Sequence, residues 1–229
     1  MDKTCMSYWY PKIEGVVPTP KTRLLKTDCK LWELLEGTKP NGFGAFLNSL
    51  GEEIAKVGRR PCFLRTGHTS GKHEWKHTCY VSDKTLDWHV YSLVEYSHLV
   101  DMIGLPTDVW VVREMLQTEP AFVTDAGMPV TKEFRVFVDG GEVLCWHPYW
   151  PSEAIEQQCS QMPAGWKCDY EGLIELVDPS KVLGLASAAG NSVGGRWSVD
   201  VLWANGWYVI DMAEAEKSWH WPGCSKEHR

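Results

Sequence analysis

The feature that most limits how this chain can fold is the stretch RWSVDVLWANGWYVIDMA, residues 196–213. It consists of two runs of strand-forming residues around Asn205-Gly206, the dipeptide preferred in two-residue type I′ hairpin turns. Such a turn fixes the strand register, because the residues on either side of it face each other in pairs. The sequence therefore predicts an antiparallel hairpin in which Trp203 lies opposite Tyr208.

Counting back from this turn brings two acidic residues together. The same register places Asp200 opposite Asp211, each among apolar neighbours. Directly opposed side chains have Cβ atoms roughly 4.5–5.5 Å apart, and like charges there repel. The pair therefore needs a proton or a cation, and Mg²⁺ typically binds one or two carboxylates together with substrate phosphates. Glu214 is a candidate third carboxylate. In the structural alternative, one aspartate points to solvent and the other caps a turn.

Two further predicted strands carry charged residues among apolar ones. VVREML, residues 111–116, contains Arg113 and Glu114, and TKEFRVFV, residues 131–138, contains Arg135. Cationic side chains on inward strand faces can neutralise a polyphosphate beside a metal. The alternative is a half-exposed sheet with salt bridges.

A polar loop, TGHTSGKH at residues 66–73, separates two strand-like runs. Three interpretations compete: a phosphate-binding loop, a histidine metal site and an ordinary turn. A P-loop requires four residues between its glycines and a helix after it, whereas Gly67 and Gly71 are separated by three residues and a strand is predicted next. The remaining phosphate-binding hypothesis is a mobile glycine lid with Arg65 at one end and Lys72 at its exposed tip.

The metal interpretation of this loop is weak. Its candidate ligands are His68, His73, His77 and Cys79. Their spacing matches no standard zinc pattern, and no second cysteine pair completes a tetrahedral site.

The remaining predicted elements indicate an α+β fold. Helices are predicted at 43–57, 88–102 and 178–189, strands at 61–65, 77–82 and 108–116, and a further hairpin at 133–146. Antiparallel strands with interspersed helices are typical of this class.

Composition narrows the function classes. The net charge of −7 gives no support for broad binding to nucleic acid, and there is no apolar run of 18 residues for a membrane span. The N-terminus shows no secretory signal, and the eight cysteines are scattered without a CxxC pair. Reduced thiols in a cytoplasmic protein are therefore expected.

The order of these motifs resembles the ATP-grasp fold, in which two α+β lobes with antiparallel sheets hold ATP between them. The resemblance covers about residues 60–220, and EFRVFV and DVLWANGWYVID are most similar to the Cdc123-like branch and to short phage and bacterial ATP-grasp proteins. It implies an N-terminal segment at 1–59, a small lobe with the glycine-rich loop at 60–107, and a large lobe with a metal site at 108–229.

The resemblance also implies roles for particular residues. The implied ATP-binding residues are Arg65, Lys72, Arg113, Glu114, Met115, Leu116, Lys132 and Glu133, with the backbone near Glu114 and Leu116 on adenine and Glu133 on ribose. The implied catalytic cations are Lys72, Arg135 and Arg196, and the implied Mg²⁺ ligands are Asp200, Asp211 and Glu214. Many ATP-grasp enzymes carry asparagine two residues after the last acid, where this chain has Ala213.

The function implied is that of an ATP- and Mg²⁺-dependent ligase that joins a carboxylate to an amine through an acyl-phosphate. The alternative is a Cdc123-like assembly factor that binds ATP without ligase turnover. The acceptor is an unidentified carboxylate or protein. A nucleic-acid ligase is disfavoured, because the chain has no KxDG motif.

Overall fold

The computed structural model describes residues 2–58, 60–82, 85–158, 162–176, 178–222 and 224. The helices are α1 (Met6–Ile13), α2 (Phe43–Val57), α3 (Leu86–Leu99), α4 (Ser152–Gln158), α5 (Trp166–Ile174) and α6 (Ser180–Val193). The strands are β1 (Thr22–Lys26), β2 (Cys62–Thr66), β3 (Tyr80–Val81), β4 (Val109–Glu114), β5 (Phe122–Val123), β6 (Pro129–Val130), β7 (Glu133–Asp139), β8 (Glu142–Pro148), β9 (Arg196–Trp203) and β10 (Trp207–Glu214). None of the described helices combines the length and apolar character that crossing a bilayer requires.

The first sheet has the strand order β1-β4-β2-β3, and all its pairings are antiparallel. Helix α2 packs on it because Phe46, Leu50 and Ile54 recur at helical spacing and are all buried. They share a core with Leu64 and Trp110 of the sheet. The prediction of this helix from its apolar periodicity is confirmed.

The second sheet has the order β10-β9-β7-β8 and is also antiparallel. Helices α1 and α6 cover it, and Trp9 and Ala186 share a core with Val136 and Val199. Close approach of α6 needs a residue without a side chain, since a Cβ on Gly190 would lie 2.5 Å from Val138 Cγ2. The predicted α+β class with antiparallel sheets is confirmed.

The sheets divide the chain differently from the lobe boundaries expected at residues 59 and 107. Strand β1 pairs with β4, so the first sheet takes strands from both ends of the 22–114 range. The N-terminal α1 contacts α6 and belongs to the core of the second sheet. The first 59 residues are therefore shared between both halves of the molecule.

The C-terminal hairpin forms, but with a different turn from the predicted one. Trp203 pairs with Trp207 rather than with Tyr208, and three residues connect the strands. A bulge between Val209 and Asp211 then shifts the register by one residue. The longer turn and the bulge compensate, so Asp211 still lies opposite Asp200.

The second strand predicted around the polar loop, 77–82, is shorter than expected. Only Tyr80–Val81 is strand, while Lys72–Glu74 forms a 3₁₀-helix. The Thr78 hydroxyl donates to the Gly71 carbonyl at 2.6 Å and lies 2.9 Å from the Glu74 carbonyl. These bonds hold the chain in turns up to Thr78 and delay the start of the strand.

Candidate functional site

An open cleft of about 820 Å³, solvent space included, lies between the two sheets. Its walls come from β2, β4, β7, β9 and β10 and from the polar loop. A concave space of this size with a few convergent polar groups is typical of a small-molecule site.

Two arginines of the first sheet reach across the cleft to β10. Arg65 donates from Nη1 to Asp211 Oδ2 at 2.7 Å, and Arg113 donates from Nη1 to the Ile210 carbonyl. Arg113 also donates from Nε to the Thr22 hydroxyl at 3.0 Å. Its Nη2 is buried without a hydrogen-bond partner among the described residues. Burial lowers the pKa of Arg113 to about 10, so the guanidinium remains charged at neutral pH.

Lys72 points into the same cleft. Its Nζ lies 3.7 Å from Glu133 Oε1, 3.7 Å from the centre of the Tyr149 ring and 5.4 Å from that of Trp150. Burial alone would lower the pKa of Lys72, but Glu133, Tyr149 and Asp200 outweigh it and raise the pKa above its ordinary value. The expectation of an exposed loop-tip lysine is wrong, because only 20% of this side chain is accessible.

Glu133, the first residue of β7, is the buried acid facing Lys72. Its Oε1 has no hydrogen-bond partner among the described residues, since the lysine ammonium is 3.7 Å away. Burial raises the pKa of Glu133 to about 7 against the opposing effect of Lys72, and Asp200 adds to the rise. An oxygen acceptor therefore faces the cleft without a donor from the described part of the chain.

The opposed aspartates are each neutralised by an arginine. Asp200 binds Arg135, its cross-strand neighbour on β7, through Nε at 2.8 Å and Nη2 at 2.9 Å. Burial alone would raise the pKa of Asp211, but Arg65 and then Arg113 lower it below its ordinary value. The pair does need cations, as the sequence predicted, and the protein supplies them from neighbouring strands.

Beyond β4 the chain continues along the cleft wall. Met115 and Leu116 line the cleft directly after the strand ends at Glu114. The Glu114 carboxylate accepts from the Lys21 amide at 2.7 Å, which ties this segment to the residue before β1. Backbone groups just beyond a strand end lie where they can contact a planar ligand.

The sequence matches the model of an ATP-grasp domain family, the third family of its clade, over residues 49–219. The chain is an ATP-grasp protein of this clade. Proteins with this domain bind ATP, and the cleft between the sheets lies at the position that the fold uses to hold it. No curated protein matches the sequence significantly.

Solved structures share the fold at low identity. C-terminally truncated Cdc123 from Schizosaccharomyces pombe is 15% identical, with a TM-score of 0.54 over 92% of this chain and 83% of that chain. A RimK domain ATP-grasp protein from Sphaerobacter thermophilus is 14% identical, with a TM-score of 0.49 and coverage of 92% and 58%. D-alanine–D-alanine ligase from Bacillus anthracis, complexed with ATP, is 12% identical, with a TM-score of 0.46 and coverage of 92% and 54%. This ATP-grasp chain thus spans little more than half of the latter two.

The residues implied by the resemblance divide into two groups in this ATP-grasp protein. Those lining the cleft are Arg65, Lys72, Arg113, Glu114, Met115, Leu116, Glu133 and Asp211. As far as the structure describes the cleft wall, Lys132, Arg135, Arg196, Asp200 and Glu214 do not form it. Arg135 and Asp200 nevertheless act on it, because their charges influence Glu133.

Three implied residues lie elsewhere. Lys132 donates to the Glu175 carbonyl at 2.8 Å, since the residue before Glu133 points to the opposite side of the strand. Arg196 lies four positions from Asp200 on β9, roughly 13 Å along the strand, and its Nη1 is 3.8 Å from Glu216 Oε1. Glu214 binds Lys217 at 2.7 Å. Within the part of the chain that the structure describes, the ligand atoms of Asp200, Asp211 and Glu214 do not all lie within 4.8 Å of one another.

Sequence reasoning missed the aromatic residues of the site. The Arg135 guanidinium lies 4.5 Å from the centre of the Tyr149 ring, which also contacts Lys72. Two cations on one ring place Tyr149 between the loop lysine and the β7 arginine. The adjacent aromatic residues in PYWP at 148–151 were the available signal.

Proposed function

We propose that this protein binds Mg-ATP in the cleft and is a carboxylate–amine ligase. The observation that carries the proposal is the convergence of three buried cations from separate elements, Arg65, Lys72 and Arg113, on one cleft that also holds two carboxylates. Triphosphate oxygens are acceptors that such cations suit, and Arg113 Nη2 is a buried donor aimed at no described acceptor.

The donor set fits a magnesium ion in part. Glu133 has a buried oxygen without a described donor, and Asp211 lines the same cleft, which gives the one or two carboxylates that Mg²⁺ usually takes beside phosphates. Asp200 would contribute only if Arg135 released one of its oxygens. Glu214, bound to Lys217, is no longer proposed as a ligand. Bound magnesium would neutralise charge developing on the phosphates.

The proposed reaction has two steps. A carboxylate oxygen of the substrate attacks the γ-phosphorus of ATP, so the bond to the β-phosphate oxygen breaks and ADP leaves. The nitrogen of the second substrate then attacks the acyl carbon, an amide forms, and phosphate leaves with loss of a proton from nitrogen. The role of Lys72 and the two arginines is to hold the phosphates and balance their charge.

ADP release separates ligase activity from nucleotide binding alone. Purified protein is incubated with Mg-ATP and pools of carboxylates, amines and peptides, and ADP formation is measured. Asp211→Asn is the variant, and Asp139→Asn, on an exposed strand end, is its control. ADP release that depends on a carboxylate and is lost only in Asp211→Asn supports the ligase. ATP binding without turnover in any pool favours the Cdc123-like alternative, and absence of ATP binding rejects both.

A further inference from the structure

A second cluster of reactive side chains lies outside the ATP cleft. Cys145 of β8 meets His220 and Cys224 of the C-terminal segment, and their ligand atoms all lie within 4.8 Å of one another. The distance from Cys145 Sγ to His220 Nε2 is 3.3 Å. Cys145 is buried, and the other two are partly buried.

The fold brings these residues together by laying the C-terminal segment against β8, an edge strand of the second sheet. The His220 ring packs edge-on against Phe137 with centroids 4.7 Å apart, and Trp219 packs against His147 at 5.9 Å. Cys224 Sγ lies 3.9 Å from the Trp146 carbonyl. Contacts on both sides of the cluster therefore hold the segment over the strand.

We propose that Cys145, His220 and Cys224 bind a zinc ion. Thiolate and imidazole are the ligands of zinc sites, whereas Mg²⁺ prefers oxygen, so this cluster and the cleft would select different metals. Tetrahedral bonds of the usual Zn–S and Zn–N lengths place neighbouring sulfur and nitrogen ligands roughly 3.5 Å apart. The 3.3 Å separation found here needs little adjustment. Water takes the fourth position.

The charges of the proposed site balance. Two thiolates and one neutral imidazole around Zn²⁺ give a neutral complex, which suits a partly buried location. Forming it from two thiols releases two protons to solvent.

The metal fastens the C-terminal segment over the sheet edge. This matters for the cleft, because the Trp219 carbonyl accepts a hydrogen bond from Arg135 Nη1 at 3.2 Å. Arg135 in turn binds Asp200 through its other nitrogens. The zinc site thus supports, through one short segment, the arginine that neutralises the metal-side acids.

Cobalt substitution tests the site without nucleotide or magnesium, so the result does not depend on the proposed ligase activity. Reduced, metal-free protein is titrated with Co²⁺ and then with Zn²⁺. One equivalent of Co²⁺ should give the visible bands of tetrahedral coordination with a thiolate charge-transfer band, and one equivalent of Zn²⁺ should abolish them. Zn²⁺ alone should raise the Tm.

Matched variants assign the ligands. Cys224→Ser and His220→Ala should each weaken Zn²⁺ binding by more than the roughly 10- to 100-fold that loss of an outer-shell partner costs. Cys168→Ser removes an exposed free thiol and should leave the titration unchanged. Absence of the cobalt bands in the unmodified protein, equal Zn²⁺ affinity in all three variants, or a Cys145–Cys224 disulfide in the purified chain would each overturn the proposal.

Discussion

At the scale of single residues, cross-strand charge neutralisation is the main feature of the site. Asp200 is paired with Arg135 from the neighbouring strand, and Asp211 with Arg65 from the other sheet. Glu133 differs, because its only nearby cation, among those the structure describes as ion pairs, is Lys72 at 3.7 Å. The three acids therefore respond differently to substitution.

Asp200→Asn should destabilise the nucleotide-free protein. The change removes the charge that balances a buried arginine, which costs on the order of 3 kcal/mol of unfolding free energy. Relief of repulsion from Asp211 is a smaller effect, since Arg65 already neutralises that acid. Urea denaturation measures the loss, with Asp139→Asn as the exposed control on β7. A stabilised Asp200→Asn protein would contradict the charge pairing described here.

Glu133→Gln should change how stability depends on pH. The folded-state pKa of Glu133 is about 7, above its ordinary 4.5, so the folded protein binds this proton more tightly than the unfolded chain. The stabilisation that protonation gives is complete below pH 4.5 and is lost as the pH rises to about 7. The loss is on the order of 3 kcal/mol. The stability of the variant relative to wild type should therefore increase between pH 5 and roughly pH 8, as measured by denaturation across that range. A constant difference would refute the raised pKa.

At the scale of elements, the polar loop is more ordered than its sequence suggests. The Gly67 amide donates to the Val109 carbonyl at 2.7 Å, and the Thr69 amide donates to the Thr66 hydroxyl at 3.0 Å. Gly71 adopts φ +60°, and a Cβ there would lie 3.0 Å from Thr78. These constraints fix the start of the 3₁₀-helix and so aim Lys72 into the cleft.

Mg-ATP should protect the Lys72 end of this loop from hydrogen exchange more than the Gly67 end. The Gly67 and Thr69 amides are bonded before any ligand arrives, whereas Lys72 would gain phosphate contacts on closure. Exchange across 66–73 with and without Mg-ATP measures this. Lys72→Ala should abolish the difference, while Lys76→Ala, a nearby exposed lysine, should retain it. Equal protection in both states would exclude a closing lid.

At the scale of the whole molecule, the two sheets are joined across the cleft by Arg65 and Arg113, both of which bond to β10. The same arginines are proposed to bind phosphates. Binding would therefore exchange contacts between the sheets for contacts through the nucleotide, and the interior of the cleft would couple ATP to the relative position of the sheets.

Mg-ATP should raise the Tm of the intact protein. A ligand at about 100 times its Kd stabilises the folded state by about 2.7 kcal/mol, or roughly 5–10 °C for a chain of this size. Omitting Mg²⁺ should reduce the gain, and omission is preferable to chelation because a chelator would also remove zinc. Scanning fluorimetry makes the measurement, and no shift at millimolar Mg-ATP would contradict binding in the cleft.

The sequence alone determined the elements whose signals are local. The periodicity of α2, the order of the strands and the opposition of Asp200 to Asp211 could all be predicted, because apolar spacing and turn residues act over a few positions. The register within the hairpin could not, since the bulge beside Ile210 depends on how β10 packs rather than on the turn.

Only the tertiary structure decided which residues meet. Arg65 reaches Asp211 across 146 positions, and Cys145 reaches His220 across 75, so no local spacing announces either contact. Arg196, a cation of the correct type on the correct strand, lies at the wrong end of it. Sheet order and strand register set these distances, and both result from packing between segments far apart in the chain.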